Sequence, residues 1–239
     1  MFNKILVVND DSINSSLLFP LVKVLKRYGN ELLVVVPHNN QSACSQTINI
    51  RKALTLYEEN NICDDIKTYS VDGSPADCVK IAREVLNFDF DLVVSGINDG
   101  YNLADDICYS GTVGGASEAE FFSKKGLAVS IERGKTGGLN YLNEAIDYVL
   151  KKQMFAKTNL VNINIPENAL GIKETVQGKR RFNGTFVKTP EGTYMAVNKQ
   201  TINKEEPFFI IRDDNKLADF KAIEEGYISI TPFTTDKTK

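Results

Sequence analysis

The chain has 239 residues, with 28 Lys and Arg against 31 Asp and Glu and a formal net charge of −3. This length suits one large domain that can bury a full core without disulfide or metal cross-links. The balanced charge provides no broad basic surface, so we expect no binding to duplex nucleic acid.

Cysteine and histidine are scarce, which limits the residue types available for catalysis and metal binding. Cys44, Cys63, Cys78 and Cys108 match no zinc spacing, which indicates reduced thiols of a cytoplasmic protein. His38 is the single histidine. Hydrolytic chemistry would therefore depend on carboxylates, hydroxyls, amides and a hard metal ion.

Apolar segments are short throughout the chain. The N-terminal run Ile5–Val8 ends at Asn9-Asp10-Asp11, too early for a secretory signal. No stretch reaches the roughly 18 apolar residues of a transmembrane helix. We expect a cytoplasmic protein with no membrane partner.

The N-terminal segment predicts a βαβ unit. Ile5–Val8 is a β-branched run typical of a buried strand, and residues 18–25 place apolar side chains at helical spacing. Gly29 is the expected C-cap of that helix. Leu32–Val36 is a second buried strand, ended by Pro37, and such a unit predicts a parallel sheet.

Strands and helices continue to alternate as far as Pro166. Ser74-Pro75, with Asp77 three residues after Ser74, predicts a helix start. The other predicted elements are strands at Leu92–Val94, Leu127–Ile131 and 161–165, a loop at 96–100, and helices from Gly111 and over 145–150. The alternation predicts an α/β fold with a Rossmann-like, three-layer parallel sheet flanked by helices.

The pattern changes after Pro166. Residues 171–212 lack a long helical repeat and contain two β-rich segments around the turn Pro190-Glu191-Gly192, which predicts an antiparallel hairpin. A short helix at 218–225 and a strand at 227–231 follow. We expect a single domain over residues 1–239, with 171–212 as a β-rich C-terminal arm.

Loops after three predicted strands carry oxygen ligands, and ligands of open parallel sheets bind at that edge. The donors are Asn9, Asp10 and Asp11, then Asn39, Asn40, Gln41 and Ser42, then Ser95, Asn98, Asp99 and Asn102. The adjacent carboxylates repel each other, and a divalent cation would remove that repulsion. Oxygen donors suit Mg²⁺, Mn²⁺ or Ca²⁺. Alternatively, Asp10-Asp11 is a solvated turn or a helix cap.

A second polar segment opens the helix predicted from Gly111. Small residues there expose N–H groups that favour an anion such as phosphate, and Ser110 and Thr112 add hydroxyls. An ordinary N-cap with close helix packing is the alternative. Paired with a metal site, the first interpretation suits phosphoryl hydrolysis, in which a carboxylate takes the proton of water.

Two further features favour simpler interpretations. His38 is expected in a surface loop. The run Lys179-Arg180-Arg181 could contact a phosphate, but three consecutive charges indicate a solvated face.

The start of the chain, from Lys4 to Asp11, is also similar to that of a receiver domain. A receiver needs a phospho-accepting Asp at the end of its third strand, where this chain has Ser95. The chain is also about twice a receiver's length. Phosphorelay signalling is therefore disfavoured.

Six segments, in order along nearly the full chain, resemble motifs of the SurE nucleotidase family. They are Val8-Asn9-Asp10-Asp11-Ser12, Pro37-His38-Asn39-Asn40-Gln41-Ser42-Ala43, Gly73-Ser74-Pro75-Ala76-Asp77-Cys78, Ser95-Gly96-Ile97-Asn98-Asp99-Gly100-Tyr101-Asn102, Tyr109 to Ala116, and Gly226-Tyr227-Ile228-Ser229-Ile230-Thr231-Pro232.

The resemblance implies hydrolysis of 5′- and 3′-nucleoside monophosphates to nucleoside and phosphate. It implies one divalent cation per subunit, Mg²⁺ or Mn²⁺, and a homodimer or homotetramer that exchanges C-terminal arms. The implied metal ligands are Asp10, Asp11, Ser42 and Asn98, with Asp10, Asp11 and Asn98 catalytic. The implied phosphate contacts are Asn9, Asn98, Ser110, Gly111 and Thr112.

The chain departs from the family pattern at several positions. Ser12 and Ala43 each replace a glycine in a site loop, where a positive φ would favour glycine. Ser74 and Ala76 differ in the third motif, and Gly114-Gly115 replaces a usual alanine pair. These changes leave open a sensor that binds nucleotides without hydrolysis. Separately, the sequence is compatible with a side activity on short polyphosphate.

Overall fold

The computed structural model describes residues 1–63 and 65–235. Its strands are β1 (Phe2–Val8), β2 (Gly29–Pro37), β3 (Leu56–Glu58), β4 (Thr68–Val71), β5 (Leu92–Asp99), β6 (Lys125–Ile131), β7 (Leu160–Ile165), β8 (Ile172–Glu174), β9 (Arg180–Phe182), β10 (Gly184–Lys188), β11 (Tyr194–Asn198), β12 (Phe209–Ile211) and β13 (Ile228–Phe233). Its α-helices are α1 (Leu18–Leu25), α2 (Pro75–Glu84), α3 (Gly111–Phe121), α4 (Leu142–Lys151), α5 (Lys199–Ile202) and α6 (Asp219–Glu224), with 3₁₀ helices at Ala104–Cys108, Gly137–Tyr141 and Met154–Ala156.

Within the described residues, nine strands form one sheet in the order β3-β4-β2-β1-β5-β6-β7-β13-β8. The pairings from β4 through β2, β1, β5 and β6 to β7 are all parallel. Strands β3 and β13 pair antiparallel with β4 and β7. The sheet is therefore mixed towards its edges, whereas the sequence predicted a parallel one, because β3 and β13 run opposite to the strands β4 and β7 beside them.

Helices cover both faces of this sheet. Alternate residues of β1 face opposite sides, so Ile5 packs with the apolar faces of α1 and α4. Leu6 packs with residues of α2 and α3. Both side chains are fully buried. The predicted three-layer α/β fold is confirmed.

Two local predictions are wrong. Gly29 begins β2 and does not cap α1, which ends at Leu25. A Cβ at Gly29 would lie 2.8 Å from the Ile5 side chain, so close packing explains this glycine. The predicted loop at 96–100 largely belongs to β5, because β6 pairs with Asn98 and Asp99 after a shift of register.

Other predictions are confirmed. Ser74 caps α2, and its side chain accepts the N–H of Asp77 in a capping box. The predicted hairpin is β10 paired antiparallel with β11. Next to it, β9 pairs antiparallel with β12. Within the described ranges, no helix combines the length and the apolarity that crossing a bilayer requires.

Candidate active site

A cleft of about 930 Å³ opens beyond the carboxyl ends of β1, β2 and β5. Asp10, Asp11, Ser42 and Asn98 all line it. Strand β1 lies between β2 and β5, so the loops that follow these strands meet at one edge. The structure thus brings together the four predicted metal ligands from three separate parts of the sequence.

Asp10 is the most buried of these four side chains, at 3% exposure. Thr112 Oγ1 donates to its Oδ1 at 2.6 Å. Burial raises the pKa of Asp10 to about 6, and the Thr112 bond opposes the rise. A Cβ at Gly111 would lie 2.9 Å from Asp10 Cβ, so this glycine allows the start of α3 to approach the carboxylate.

Asp11 is half-buried and faces the open part of the cleft. Its Oδ2 accepts the backbone N–H of Asp99 at 3.3 Å, and its Oδ1 accepts Asn40 Nδ2 at 3.4 Å. Burial raises the pKa of Asp11, and the Asp99 N–H bond counteracts part of that rise. Two adjacent carboxylates with raised pKa values are an arrangement that a cation would stabilise.

The two neutral candidate ligands, Asn98 and Ser42, each form a hydrogen bond to a residue two positions away in the chain. Asn98 Nδ2 donates to the carbonyl of Gly100 at 2.7 Å, which leaves Asn98 Oδ1 as the atom available to a cation. The N–H of Ser42 donates to Asn40 Oδ1 at 2.9 Å. The set therefore contains two carboxylates, one amide oxygen and one hydroxyl.

This donor set fits a hard divalent cation, because Mg²⁺ and Mn²⁺ prefer oxygen ligands. Within residues 1–63 and 65–235, no cluster of three or more His, Cys, Asp or Glu side chains is arranged to hold a metal. That finding is consistent with the candidate site, where only Asp10 and Asp11 are acidic. Burial is the largest cause of the raised pKa values of these two carboxyls, and a bound cation would favour their charged forms.

The predicted phosphate-binding residues differ in their access to the cleft. Ser110 lines it and caps α3, with its Oγ accepting the N–H of Val113 at 3.1 Å. Thr112 is fully buried, and its hydroxyl is bonded to Asp10. Gly111 is the first residue of α3. At this edge, Ser110 and the first N–H groups of α3 are the groups that suit an anion.

Asn9 is buried beneath the loop and is not among the residues that line the cleft. Its Nδ2 donates to the carbonyl of Ser12 at 2.8 Å. Its Oδ1 has no hydrogen-bond partner in the described residues. In this orientation the amide supports the Asp10-Asp11 turn, and its contact with phosphate remains a prediction.

The two glycine replacements adopt the conformation that glycine favours. Ser12 has φ 76° and Ala43 has φ 58°. Close packing explains why position 114 is a glycine, because a Cβ there would lie 2.3 Å from the carbonyl oxygen of Ser45. The departures from the family pattern therefore leave the backbone of the site loops in a glycine-like shape.

A buried amide network supports the cleft wall, and the sequence analysis did not identify it. The N–H of Asn102 donates to Asn164 Oδ1 at 2.8 Å, and Asn102 Nδ2 donates to Ser130 Oγ at 2.9 Å. Asn162 and Asn164 each donate to the carbonyl of Asn102. The alternation of Asn with apolar residues in β7 was the available signal, but both faces of this strand are buried.

The arm contributes residues that the sequence analysis assigned to the surface. A solvated face is the correct interpretation for Lys179 and Arg181, which are exposed, but it is wrong for Arg180. Arg180 is 8% exposed because its guanidinium packs over the Phe209 ring at 3.8 Å.

His38 is half-buried, with its Nδ1 2.9 Å from Ser70 Oγ.

The fold and the cleft define a three-layer α/β protein with an oxygen-donor site at the strand ends. The family model described as Survival protein SurE matches residues 5–184. The chain therefore belongs to the SurE family.

Relatives cover nearly the whole chain. The 5′-nucleotidase SurE of Thermoanaerobacter sp. (strain X514) is 37% identical, over 99% of this chain and 94% of its own length. The protein of the same name from Caldanaerobacter subterraneus subsp. tengcongensis is 34% identical, over 98% and 92%. The crystal structure of the SurE protein from Aquifex aeolicus has a TM-score of 0.76 at 31% identity and covers 99% of this chain and 95% of its own.

Proposed function

We propose that this chain is a metal-dependent phosphatase that hydrolyses 5′- and 3′-nucleoside monophosphates to nucleoside and phosphate. The observation that carries the proposal is the convergence of Asp10, Asp11, Ser42 and Asn98 on one cleft. The relatives named 5′-nucleotidase SurE, similar over nearly the whole chain, support the substrate class.

We propose one divalent cation per subunit, Mg²⁺ or Mn²⁺, held by these four side chains. When bound, such an ion supplies an activated water and neutralises charge on the phosphate. Asp10 provides its Oδ2, because its Oδ1 accepts the Thr112 hydroxyl. Asn98 provides its Oδ1, because its Nδ2 donates to Gly100.

The remaining groups bind the ester and move protons. Ser110 and the N–H of Gly111 hold phosphate oxygens at the start of α3, and Thr112 acts there through Asp10, which accepts its hydroxyl and its backbone N–H. A carboxylate of the Asp10-Asp11 pair accepts the proton of the attacking water. The oxygen of the attacking water forms a bond to phosphorus while the bond from phosphorus to the ribose oxygen breaks. The ribose oxygen takes up the proton that the carboxylate received and leaves as a hydroxyl.

A non-catalytic nucleotide sensor is the second candidate, and it depends on altered site loops. The positive φ values of Ser12 and Ala43 oppose it, because the loops keep the shape that glycine would give. Phosphate release from a panel of nucleoside monophosphates with Mg²⁺ or Mn²⁺, alongside calorimetry, separates the two. Tight metal-dependent binding without release would support the sensor, and EDTA-sensitive release supports the phosphatase.

We further propose that residues 171–212, an arm of a single domain over 1–239, form subunit contacts in a homodimer or homotetramer. Phe186, Tyr194 and Met195 on the hairpin are 72%, 67% and 55% exposed. Light scattering tests the assembly, and a monomeric mass would refute it. A cytoplasmic location suits the free thiols of the described residues.

A further inference from the structure

A buried arginine lies in the arm end of the cleft. Arg180 on β9 is 8% exposed and lines the same cleft as Asp10 and Asp11. Its guanidinium carbon is 3.8 Å from the centroid of the Phe209 ring and 5.2 Å from that of Phe220. The rings attract the buried cation without accepting a conventional hydrogen bond from it.

The hydrogen-bonding capacity of Arg180 is incompletely used. Its Nε has no partner among the described residues although the atom is buried. Its ion pair with Asp106 joins Nη2 and Oδ2 at 3.7 Å, longer than a hydrogen bond. A guanidinium has five donors and no acceptor, so this group is suited to a ligand that presents adjacent acceptor atoms.

Aromatic rings stand beside this arginine in the cleft wall. Phe182 and Phe208 are 45% and 46% exposed, and their ring centroids are 5.6 Å apart. Both residues line the cleft. Exposed phenyl faces in a binding cleft are suited to stacking against a flat heterocycle, and nucleobases stack in this way on aromatic side chains.

We propose that Arg180, Phe182 and Phe208 form a base subsite that selects 6-oxopurines, namely guanine and hypoxanthine, over adenine and pyrimidines. The inference rests on the proposed nucleotidase function. Guanine and hypoxanthine present N7 and O6 as adjacent acceptors, which match a donor-only guanidinium. Adenine places an amino donor where O6 would be, and pyrimidines offer a smaller ring for stacking.

Steady-state kinetics with Mn²⁺ on GMP, IMP, AMP, CMP and ribose 5-phosphate test the base subsite. Arg180→Met should raise the KM for GMP and IMP by about tenfold and the KM for AMP by less. Ribose 5-phosphate has no base, so its turnover should stay unchanged. Arg181→Met is the matched control, because Arg181 is the exposed neighbour on the same strand, and it should change none of these values.

Arg180→Lys provides a second variant in case the methionine variant does not fold. It keeps the charge but loses the planar fork, so it should also lose the preference for GMP over AMP. An unchanged GMP-to-AMP ratio of kcat/KM in both variants would overturn the base subsite. An equal loss of ribose 5-phosphate turnover would also overturn it, because Arg180 would then have a structural role.

If the proposed nucleotidase function is wrong, the results will differ from those that overturn the base subsite. In that case the unsubstituted protein would release no phosphate from any substrate, ribose 5-phosphate included. Calorimetry of GMP and AMP with the Mn²⁺-loaded protein would still decide the base subsite. Tighter binding of GMP, lost in Arg180→Lys, would support it, and equal affinities would overturn it.

Discussion

The Thr112 hydroxyl donates to Asp10 Oδ1 at 2.6 Å, so the first turn of α3 holds the carboxylate that ends β1. Loss of this bond should raise the pKa of Asp10 further, because the bond lowers it now. We expect Thr112→Val to weaken Mn²⁺ binding about tenfold at neutral pH, the usual size for a hydrogen bond to a charged group.

Thr112→Ser is the matched control for that variant, since it keeps the hydroxyl and removes only a methyl group. It should bind Mn²⁺ nearly as well as the unsubstituted protein in calorimetry. Equal Mn²⁺ affinities in the valine and serine variants would show that the Thr112 bond does not support the site.

The raised pKa of Asp10 predicts a pH-dependent stability for the metal-free protein. Burial raises this pKa from 3.8 to about 6, so the folded form binds the proton more tightly than the unfolded form. The free energy of unfolding should therefore decrease by up to about 3 kcal/mol as pH rises from below 4 to above 6.

Chemical denaturation in EDTA between pH 4 and 7 measures this change. Asp10→Asn removes the titrating group, so the difference in stability between the two proteins should follow the predicted pH trend. Added Mn²⁺ should restore stability above pH 6 in the unsubstituted protein only. A pH-independent difference would mean that folding leaves the pKa of Asp10 unshifted.

Ala43 carries backbone strain in the loop that contains Ser42. Its φ of 58° is left-handed, a conformation that destabilises residues with a Cβ by about 1–2 kcal/mol. We expect Ala43→Gly to relieve this strain and raise the free energy of unfolding by about 1 kcal/mol. The gain is smaller than the strain because glycine loses more conformational freedom on folding than alanine does. Ala145→Gly, inside α4, should lower the free energy of unfolding, and a decrease in both variants would show that Ala43 is not strained.

Much of the fold follows from local patterns, since apolar runs predicted β1 and β6 and a capping sequence predicted the start of α2. The rest depends on contacts between distant segments. Arg180 is buried because Phe209 and Phe220 pack around its guanidinium. Gly29 is required by the position of Ile5.

In the candidate site, too, some features follow from the sequence and others depend on contacts between distant segments. Strand-end placement predicted that Asp10, Asp11, Ser42 and Asn98 would meet, because parallel strands align their carboxyl ends. The bonds that orient them were not predictable, since Thr112 and Gly100 act through side-chain and backbone geometry. The proposed base subsite was not predictable either, because it depends on the arm residues Arg180, Phe182 and Phe208 lining the cleft.

The buried amides of β7 should be essential for the cleft wall. Asn164→Leu leaves the N–H of Asn102 without its acceptor, and an unpaired buried donor costs about 1–3 kcal/mol. We expect a loss of stability in this range together with a higher KM for nucleotides. Asn162→Leu removes only a bond to the carbonyl of Asn102, which Asn164 also contacts, so its effect should be smaller. Equal losses would argue against the assigned network.

The most direct test of the metal site is a Mn²⁺ titration of the EDTA-treated protein, with bound Mn²⁺ measured by electron paramagnetic resonance and phosphate release from GMP measured in parallel. We expect one bound Mn²⁺ per chain, phosphate release that increases with Mn²⁺ occupancy, and neither signal in Asp10→Asn. Full release without bound Mn²⁺, or unchanged binding and release in Asp10→Asn, would contradict the proposed metal site.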